Sequence, residues 1–367
     1  MIYTIYPIKD ATIYEKTESI NTGLDSILEL SHEMVNNSSS IYNSRILMKF
    51  NIDDLLEKIN SGKISQSSKY YLSLRTSDVK EVPQEYTIHA LPLSGSWVNG
   101  TGQFASRPYL TDGVSWKYVD SKTLGTIWDV TQSLNPNVTG SYKTKFGGGT
   151  WWNNNTLLCS ESFYYEKSDV YMDVTPIVDE WINGSGDISN DGFIIKFSDT
   201  IENLPAYFST IKFFSTDSNT IYVPRLHVVW DDSQFITGSL SETPIDNMIL
   251  NVKLKKYYSM EEKTKIRIYS NTRYPQKSYT TQSYHLNNYY LPSSSYYEIR
   301  DAYSDEVIIP FTNDGTKISC DSTGSYFNLW MNSFQPERFY RILVKVEKDN
   351  GDYVQIFDNN YYFKVTR

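Results

Sequence analysis

At 367 residues, with 40% hydrophobic and 21% charged side chains, the chain is long enough for two or three domains and a sizeable core. A formal net charge of −9 and the lack of any basic run argue against nucleic acid as a partner. No run of about eighteen apolar residues occurs, so no membrane-spanning helix is expected. The opening Met1-Ile2-Tyr3-Thr4 carries neither a basic segment nor an apolar core, so no export signal is expected and synthesis is assigned to a cytoplasm. Aromatic content is the outlier, with 31 Tyr and 8 Trp against 18 Gly and 13 Pro. Such residues suit interfaces and sugar-stacking faces, and an all-β chain also favours them in its strands.

In chain order, Asp10 to Tyr14 and Ile27 to Leu30 read as short strands, with Asn21-Thr22-Gly23 supplying a turn. Arg45 to Ile52 alternates, with Ile46, Met48, Phe50 and Ile52 on one side. Asp53 to Asn60 reads as a helix with acidic residues in its first turn and Asn60-Ser61-Gly62 as its stop. Lys69 to Arg75 and Tyr86 to Leu91 are strands. Residues 94 to 159 break the rhythm: they hold five of the eight Trp, a Gly147-Gly148-Gly149 run read as a flexible turn, and Asn153-Asn154-Asn155. This stretch is expected to be long loops and short hairpins set into a sandwich. A strand at Asp169 to Asp173 leads to a helix with Thr175 as cap, Pro176 at its first position and Gly184 as a left-handed stop. Strands follow at Asp191 to Phe197, Ile211 to Thr216 and Pro224 to Trp230.

These pieces, in this order, resemble the DNRLRE family, the disaggregatase-related β-sandwich of carbohydrate-binding type. The likeness rests on the opening Asp10–Tyr14, Asn21–Asp25, Ile27–Leu30 and Arg45–Ile52. It rests also on a "V-T-x-x-V-x-x-W" helix with Gly at its end (Asp173 to Gly184), a "G-F-x-I-x" strand (Gly192 to Lys196), a polar or aromatic stretch (Phe213 to Asp217) and a "P-x-L-x-V-x-W" closing strand (Pro224 to Trp230). It spans about residues 5 to 231, with the Trp-rich insertion as the departure. The resemblance implies a non-catalytic module on a surface or particle.

The polar stretch 238–246 reads as a linker. Beyond it, Met248 to Leu254, Lys265 to Tyr269, Glu306 to Phe311, Phe339 to Val346 and Tyr361 to Val365 read as strands of an Ig-like sandwich. This region is similar to the tail ends of structural proteins from tailed bacteriophages, through Arg273-Tyr274-Pro275, Tyr289 to Ser293, Ser319 to Gly324, Gln335 to Arg341 and Phe363-Lys364-Val365. The expected organisation is therefore all-β: a jelly-roll-like sandwich over 1–237 with its insertion at about 94–159, a linker at 238–246, and an Ig-like sandwich over 247–367.

No nucleophile elbow, phosphate loop or metal-protease helix is present. The four His (32, 89, 227 and 285) are scattered without zinc spacing, and Cys159 and Cys320 are expected as buried free thiols. Of the carboxylate pairs Asp53/Asp54, Asp179/Glu180 and Asp231/Asp232, the first is better explained by a helix start and the second by adjacency on a helix, and a catalytic pair would have to flank one cleft at a set separation. Asp10 and Asp25, with Asn21 and Glu29, are oxygen donors in a turn-rich opening, so Ca2+ is the one cofactor considered, against simple turn chemistry. Trp97, Trp116, Trp128, Trp151 and Trp152 fit three roles: a protein interface, a glycan-stacking face, or a cover folded over the sandwich.

The function expected from these readings is a non-enzymatic virion structural protein of a tailed phage, in the neck, tail, baseplate or fibre region. It would be made in the host cytoplasm and would contact other virion proteins in a symmetric, multi-copy assembly, with no nucleic acid or membrane partner. The alternative expectation is a carbohydrate-binding adhesin module that recognises host surface glycans.

Overall fold

The computed structural model describes residues 1–34, 41–122, 125–128, 138–140, 147–152, 155–164, 168–184, 186–206, 208–244, 247–274, 289–348 and 351–367. The chain is all-β, and it divides into two compact units. The N-terminal unit comprises Ile5–Ile64 and Lys69–His227; the C-terminal unit comprises Met1–Thr4, Ser65–Ser68 and Val228–Arg367.

The N-terminal unit is built on one large sheet. Its strands run in the order Cys159–Tyr164, Glu85–Pro92, Phe193–Phe197, Ile41–Phe50, Ile27–Met34, Ser209–Phe214 and Thr76–Lys80, with Pro7–Tyr14 also paired to Ile41–Phe50. Phe193–Phe197 is buried at every position, as befits a central strand of Phe, Ile and aliphatic stems covered on both faces. Lys69–Leu74 pairs antiparallel with Val170–Asp173 in a smaller sheet. The helix Asp53–Asn60 forms as expected, with Asp53 and Asp54 at its positive end and Leu55 and Ile59 on its buried side. The second helix is Thr175–Asn183, and it packs Trp181 against Phe193 at 4.7 Å. Two of its expected end features differ. Thr175 lies inside the helix, where its N–H donates to Asp173 Oδ1 and its Oγ1 accepts from Tyr70 N. Gly184 is extended (φ −69°) rather than left-handed, and it is needed because a Cβ there would lie 2.3 Å from the Glu180 carbonyl oxygen. A short helix, Asp199–Glu202, is too brief to show a period in the sequence.

The C-terminal unit is a sandwich of two sheets. One runs Ser241–Glu242, Tyr289–Tyr290, Lys263–Thr272, Gly324–Trp330, Ser319–Asp321, with Met248–Lys253 paired to Lys263–Thr272. The other runs Tyr257–Ser259, Tyr353–Thr366, Arg338–Lys348, Ser295–Asp301, Val307–Ile309. Tyr297 of the second sheet stacks on Phe327 of the first at 4.1 Å, and both rings are buried. The unit begins earlier than the expected linker. Trp230 N donates to Met1 O, and the Met1 amino group returns a bond to Trp230 O and an ion pair to Asp232 at 3.1 Å. Of the expected linker, residues 238–244 are described, and they are tied into the first sheet: Ser241–Glu242 runs parallel to Tyr289–Tyr290, and Thr243 Oγ1 bonds Ser270 Oγ at 2.6 Å and Tyr290 O at 2.8 Å. Polar composition read as slack because Ser and Thr side chains also pair buried backbone. Residues 245–246, Pro275 and His285 lie outside the described residues.

Cys159 and Cys320 are both buried and unbridged. His32 is buried between Asn43 Oδ1 and the Leu204 carbonyl, and burial pushes the His227 imidazole down to about 3, so both serve packing.

Candidate functional site

The insertion is anchored by its tryptophans: of the three roles open to them, the four buried ones take the third, a cover folded over the sandwich, and are not exposed as interface or glycan-stacking residues. Trp97, Trp116, Trp128 and Trp151 are buried at 2%, 2%, 1% and 6% exposure. They form one core with Ala11, Ile13, Leu47, Leu91, Val114 and Ile194. Trp97 Nε1 donates to Asp191 O at 3.0 Å, and Trp128 Nε1 to Ser115 O at 2.9 Å. Trp152 alone of the five is half-buried, in the short strand Thr150–Trp152. The physical reason is that an insertion of short strands and loops has little core of its own. It gains stability by laying large aromatic surfaces on the host sheet. Residues 123–124, 129–137, 141–146 and 153–154 of the insertion lie outside the described residues.

A buried ionic group locks this core. Arg45 lies over the Trp116 and Trp151 rings at 4.9 and 5.2 Å, with its Nε and Nη2 on the two oxygens of Glu202 at 2.9 and 2.7 Å. Lys196 Nζ reaches the same carboxylate at 3.0 Å. Burial works to raise the Glu202 carboxyl, but Arg45 and Lys196 outweigh it and hold it below the usual Glu range. Gly147–Gly149 is not a loose turn. Gly148 donates to Trp116 O and accepts from Arg45 Nη1, both at 2.6 Å. Its φ is +90°, and a Cβ on it would lie 2.7 Å from Arg45 Nη1. Only glycine fits there.

The residue that organises the insertion's outer side is Asn21. It is fully buried; its Nδ2 donates to Asn99 O and Val114 O at 2.7 and 2.8 Å, while its Oδ1 accepts from Gly102 N and Gly23 N at 2.7 and 3.2 Å. Its own N–H donates to Leu110 O at 3.0 Å. All four side-chain hydrogen-bond positions of the amide are used. Sequence reading sees Asn21 as a turn residue and as an oxygen donor beside Asp10 and Asp25, because its partners lie about eighty and ninety positions away. Asp25 Oδ2 accepts from Phe104 N at 3.0 Å, and Thr101 donates to Asp112 twice. The loop thus held presents Phe104, Tyr109 and Leu110 at 43%, 41% and 41% exposure, next to Leu24 at 38%. Arg107 lies 4.1 Å over the Tyr109 ring and donates to Phe104 O and Ser106 O. Phe104, Tyr109 and Leu110 are among the exposed aromatic and apolar residues of the insertion, with Val98 and Ile127, that a Trp-centred reading passes over.

Asp10 and Asp25 are not brought together as a cation site. Asp10 is buried and spends one carboxylate oxygen on Thr216 N and Oγ1, at 2.9 and 2.8 Å. Asp25 serves Phe104, and burial raises its carboxyl. Among the described residues no three His, Cys, Asp or Glu side chains converge as metal ligands. Burial pushes Asp10 up to about 6, so it opposes folding at neutral pH. A group raised in the folded state costs stability above its unfolded pKa and returns it as pH falls through the folded one. Asp10→Asn keeps an acceptor for Thr216 and removes the buried charge. It is expected to stabilise the protein at pH 7 by about 1–3 kcal/mol and to flatten the pH dependence between about 4 and 6. Urea titrations across that range check this; an unchanged profile would remove Asp10 as its source.

Neither a comparison with protein-family models nor a search among curated proteins finds a match to this chain.

Proposed function

We propose that the protein is a non-enzymatic structural component of a tailed-phage virion, placed in the neck, tail, baseplate or fibre region, and that it works by contact with other virion proteins. The particle in this reading comes from the DNRLRE resemblance and the tail-end resemblance of the C-terminal region. The observation that carries the contact is the loop Thr101 to Asp112. Phe, Tyr, Leu and Arg side chains stand exposed on a backbone fixed by Asn21, Asp25 and Asp112. Aromatic and Arg side chains dominate interface energetics, and a pre-set backbone lowers the entropy lost on docking.

Phe104→Ala with Tyr109→Ala should leave the purified protein folded, because both rings are already partly solvated. The pair should cost about 2 kcal/mol or more of binding to a neighbouring virion protein, read as loss of the protein from assembled particles. A second reading uses the same rings: Tyr109 with Arg107 beside it offers a flat face and donors to a host glycan. If the double variant assembles normally but loses glycan-array binding, the adhesin reading replaces the structural one.

A further inference from the structure

The strand Tyr353–Thr366 pairs along one side with Arg338–Lys348, and its other side meets Tyr257–Ser259 only over Lys364 to Thr366. Among the described residues no strand covers that other side from Tyr353 to Asn360. The groups it presents follow from the ladder. Ala302 N donates to Phe339 O and Glu347 N donates to Ser294 O, so the odd positions of Arg338–Lys348 face Ser295–Asp301. The even positions face the long strand, where Val344 pairs with Phe357, Val346 with Gln355 and Lys348 with Tyr353. Backbone direction alternates along a strand, so Val354 and Ile356 turn their N–H and C=O groups outward. Among the described residues no other backbone group bonds them. Val354 and Ile356 are 51% and 54% exposed, and Tyr353 to Phe357 holds neither a charge nor a proline. Folded proteins blunt their strand edges with charge, proline or a cover, and this one has none of the first two.

The open edge borders a cleft of 520 Å3 within the same unit. The opposite wall is Met248–Lys253, which is itself the edge of the other sheet. That second edge is closed by the chain. Arg273 N donates to Asn247 O, so the alternation turns the Leu250 backbone away from its own sheet, and Tyr361 Oη donates to the Leu250 carbonyl. Asn359 Nδ2 stands 3.5 Å from the same carbonyl, beside Asn360 at φ +58°. Met248, Leu250 and Phe357 are buried and give the cleft an apolar floor, while Asn247, Arg273 and Asp358 give it a polar rim.

We propose that this cleft is a strand-addition site: an extended segment of another protein chain pairs with Val354 and Ile356 and lays alternate side chains on Met248, Leu250 and Phe357. The unmet groups say what covers them. A main chain in β conformation supplies donors and acceptors at the spacing that two alternate strand residues present. With a wall on its far side, the cleft admits a single strand and not the edge of a second folded copy. Tyr353 to Phe357 spans about 17 Å, so about five residues of the segment are held. Cross-strand neighbours that suit Val354 and Ile356 are β-branched or aromatic, so the segment is uncharged and apolar at alternate positions. The site is separate from the loop at Thr101 to Asp112, and neither depends on the other.

The test is amide hydrogen exchange on the full chain, alone and with a short synthetic peptide of alternating Val and Thr closed by Lys at each end. In the free protein the Val354 and Ile356 amides should exchange as unpaired groups, while Gln355 and Phe357 beside them are protected. The peptide should bind with a Kd of about 0.1–1 mM, the range of a few backbone hydrogen bonds with modest apolar cover. At saturation it should slow both amides at least about tenfold, and a control peptide with two central prolines should not. Ile356→Pro removes an N–H that the protein's own ladder leaves unused, so circular dichroism should be unchanged and peptide affinity should fall at least about tenfold. If that variant unfolds, exchange in the unaltered chain decides the matter by itself. Protection of both amides without peptide means that the chain covers its own edge, and protection that rises with protein concentration means that a second copy does. Either result overturns the proposal, as does a peptide that fails to bind at about 5 mM or that protects some other strand. None of these outcomes bears on whether the Phe104–Tyr109 loop binds a virion partner.

Discussion

Trp116→Ala is expected to lower the stability of the N-terminal unit by about 3–5 kcal/mol, without removing any exposed binding surface. The indole is 2% exposed and packs in one core with Trp97, Trp128 and Trp151. Its carbonyl holds Gly148, and its ring faces the Arg45 guanidinium at 4.9 Å. Truncation leaves a cavity that the neighbouring rings cannot fill, because each is held by its own hydrogen bond or ion contact. Trp152→Ala, at a half-buried position, should cost clearly less. Denaturant midpoints followed by intrinsic fluorescence and far-UV circular dichroism give both values. If Trp116→Ala kept the midpoint of the parent chain, the packing account of the insertion would fail, and an exposed stacking role for the tryptophans would return.

Removing Arg45 should be comparably severe. Arg45→Met keeps the apolar stem between Trp116 and Trp151 but leaves Glu202 with Lys196 alone and the Gly148 carbonyl with no donor from this side chain. Breaking one partner of a buried charge group costs about 3–5 kcal/mol, mostly through the charge left behind. Arg45→Lys should recover little, since an ammonium cannot span both Glu202 oxygens while donating to Gly148. The pH dependence has the opposite sign to that of Asp10. Glu202 is held below its ordinary range, so its stabilisation is complete above the unfolded pKa and is lost as acid titrates it through the lower, folded one. The parent chain should therefore lose stability in acid at a pH below the usual Glu range, and Arg45→Met should move that loss upward. Equal midpoints for parent and variant at neutral pH would show that the triad contributes nothing net.

The elements with a strong local signal are legible in the chain itself. Asp53–Asn60 has the acidic start, the apolar stripe and the Asn-Ser-Gly stop within one short window, and it folds as read. The runs read as strands at Arg45 to Ile52, Asp191 to Phe197, Met248 to Leu254 and Phe339 to Val346 likewise become strands, over Ile41–Phe50, Phe193–Phe197, Met248–Lys253 and Arg338–Lys348. Asp199–Glu202 is too short to show a period, Thr76–Lys80 has a single apolar residue, Val79, and the neighbours of each determine it.

What the sequence determined by itself is the all-β class and the presence of a Trp-rich departure from the strand rhythm. Both follow from periodicity and composition, which are properties of neighbouring residues. Only the tertiary structure decided which way the tryptophans face, because burial depends on surfaces contributed by Ala11, Leu47 and Ile194, far off in the chain. The same holds for Asn21, whose amide closes on Asn99, Gly102 and Val114, and for Asp10, whose carboxylate is taken by Thr216. A polar side chain looks identical in sequence whether it caps a turn, binds a cation or ties two distant loops, since its partner is chosen by the fold and not by its neighbours.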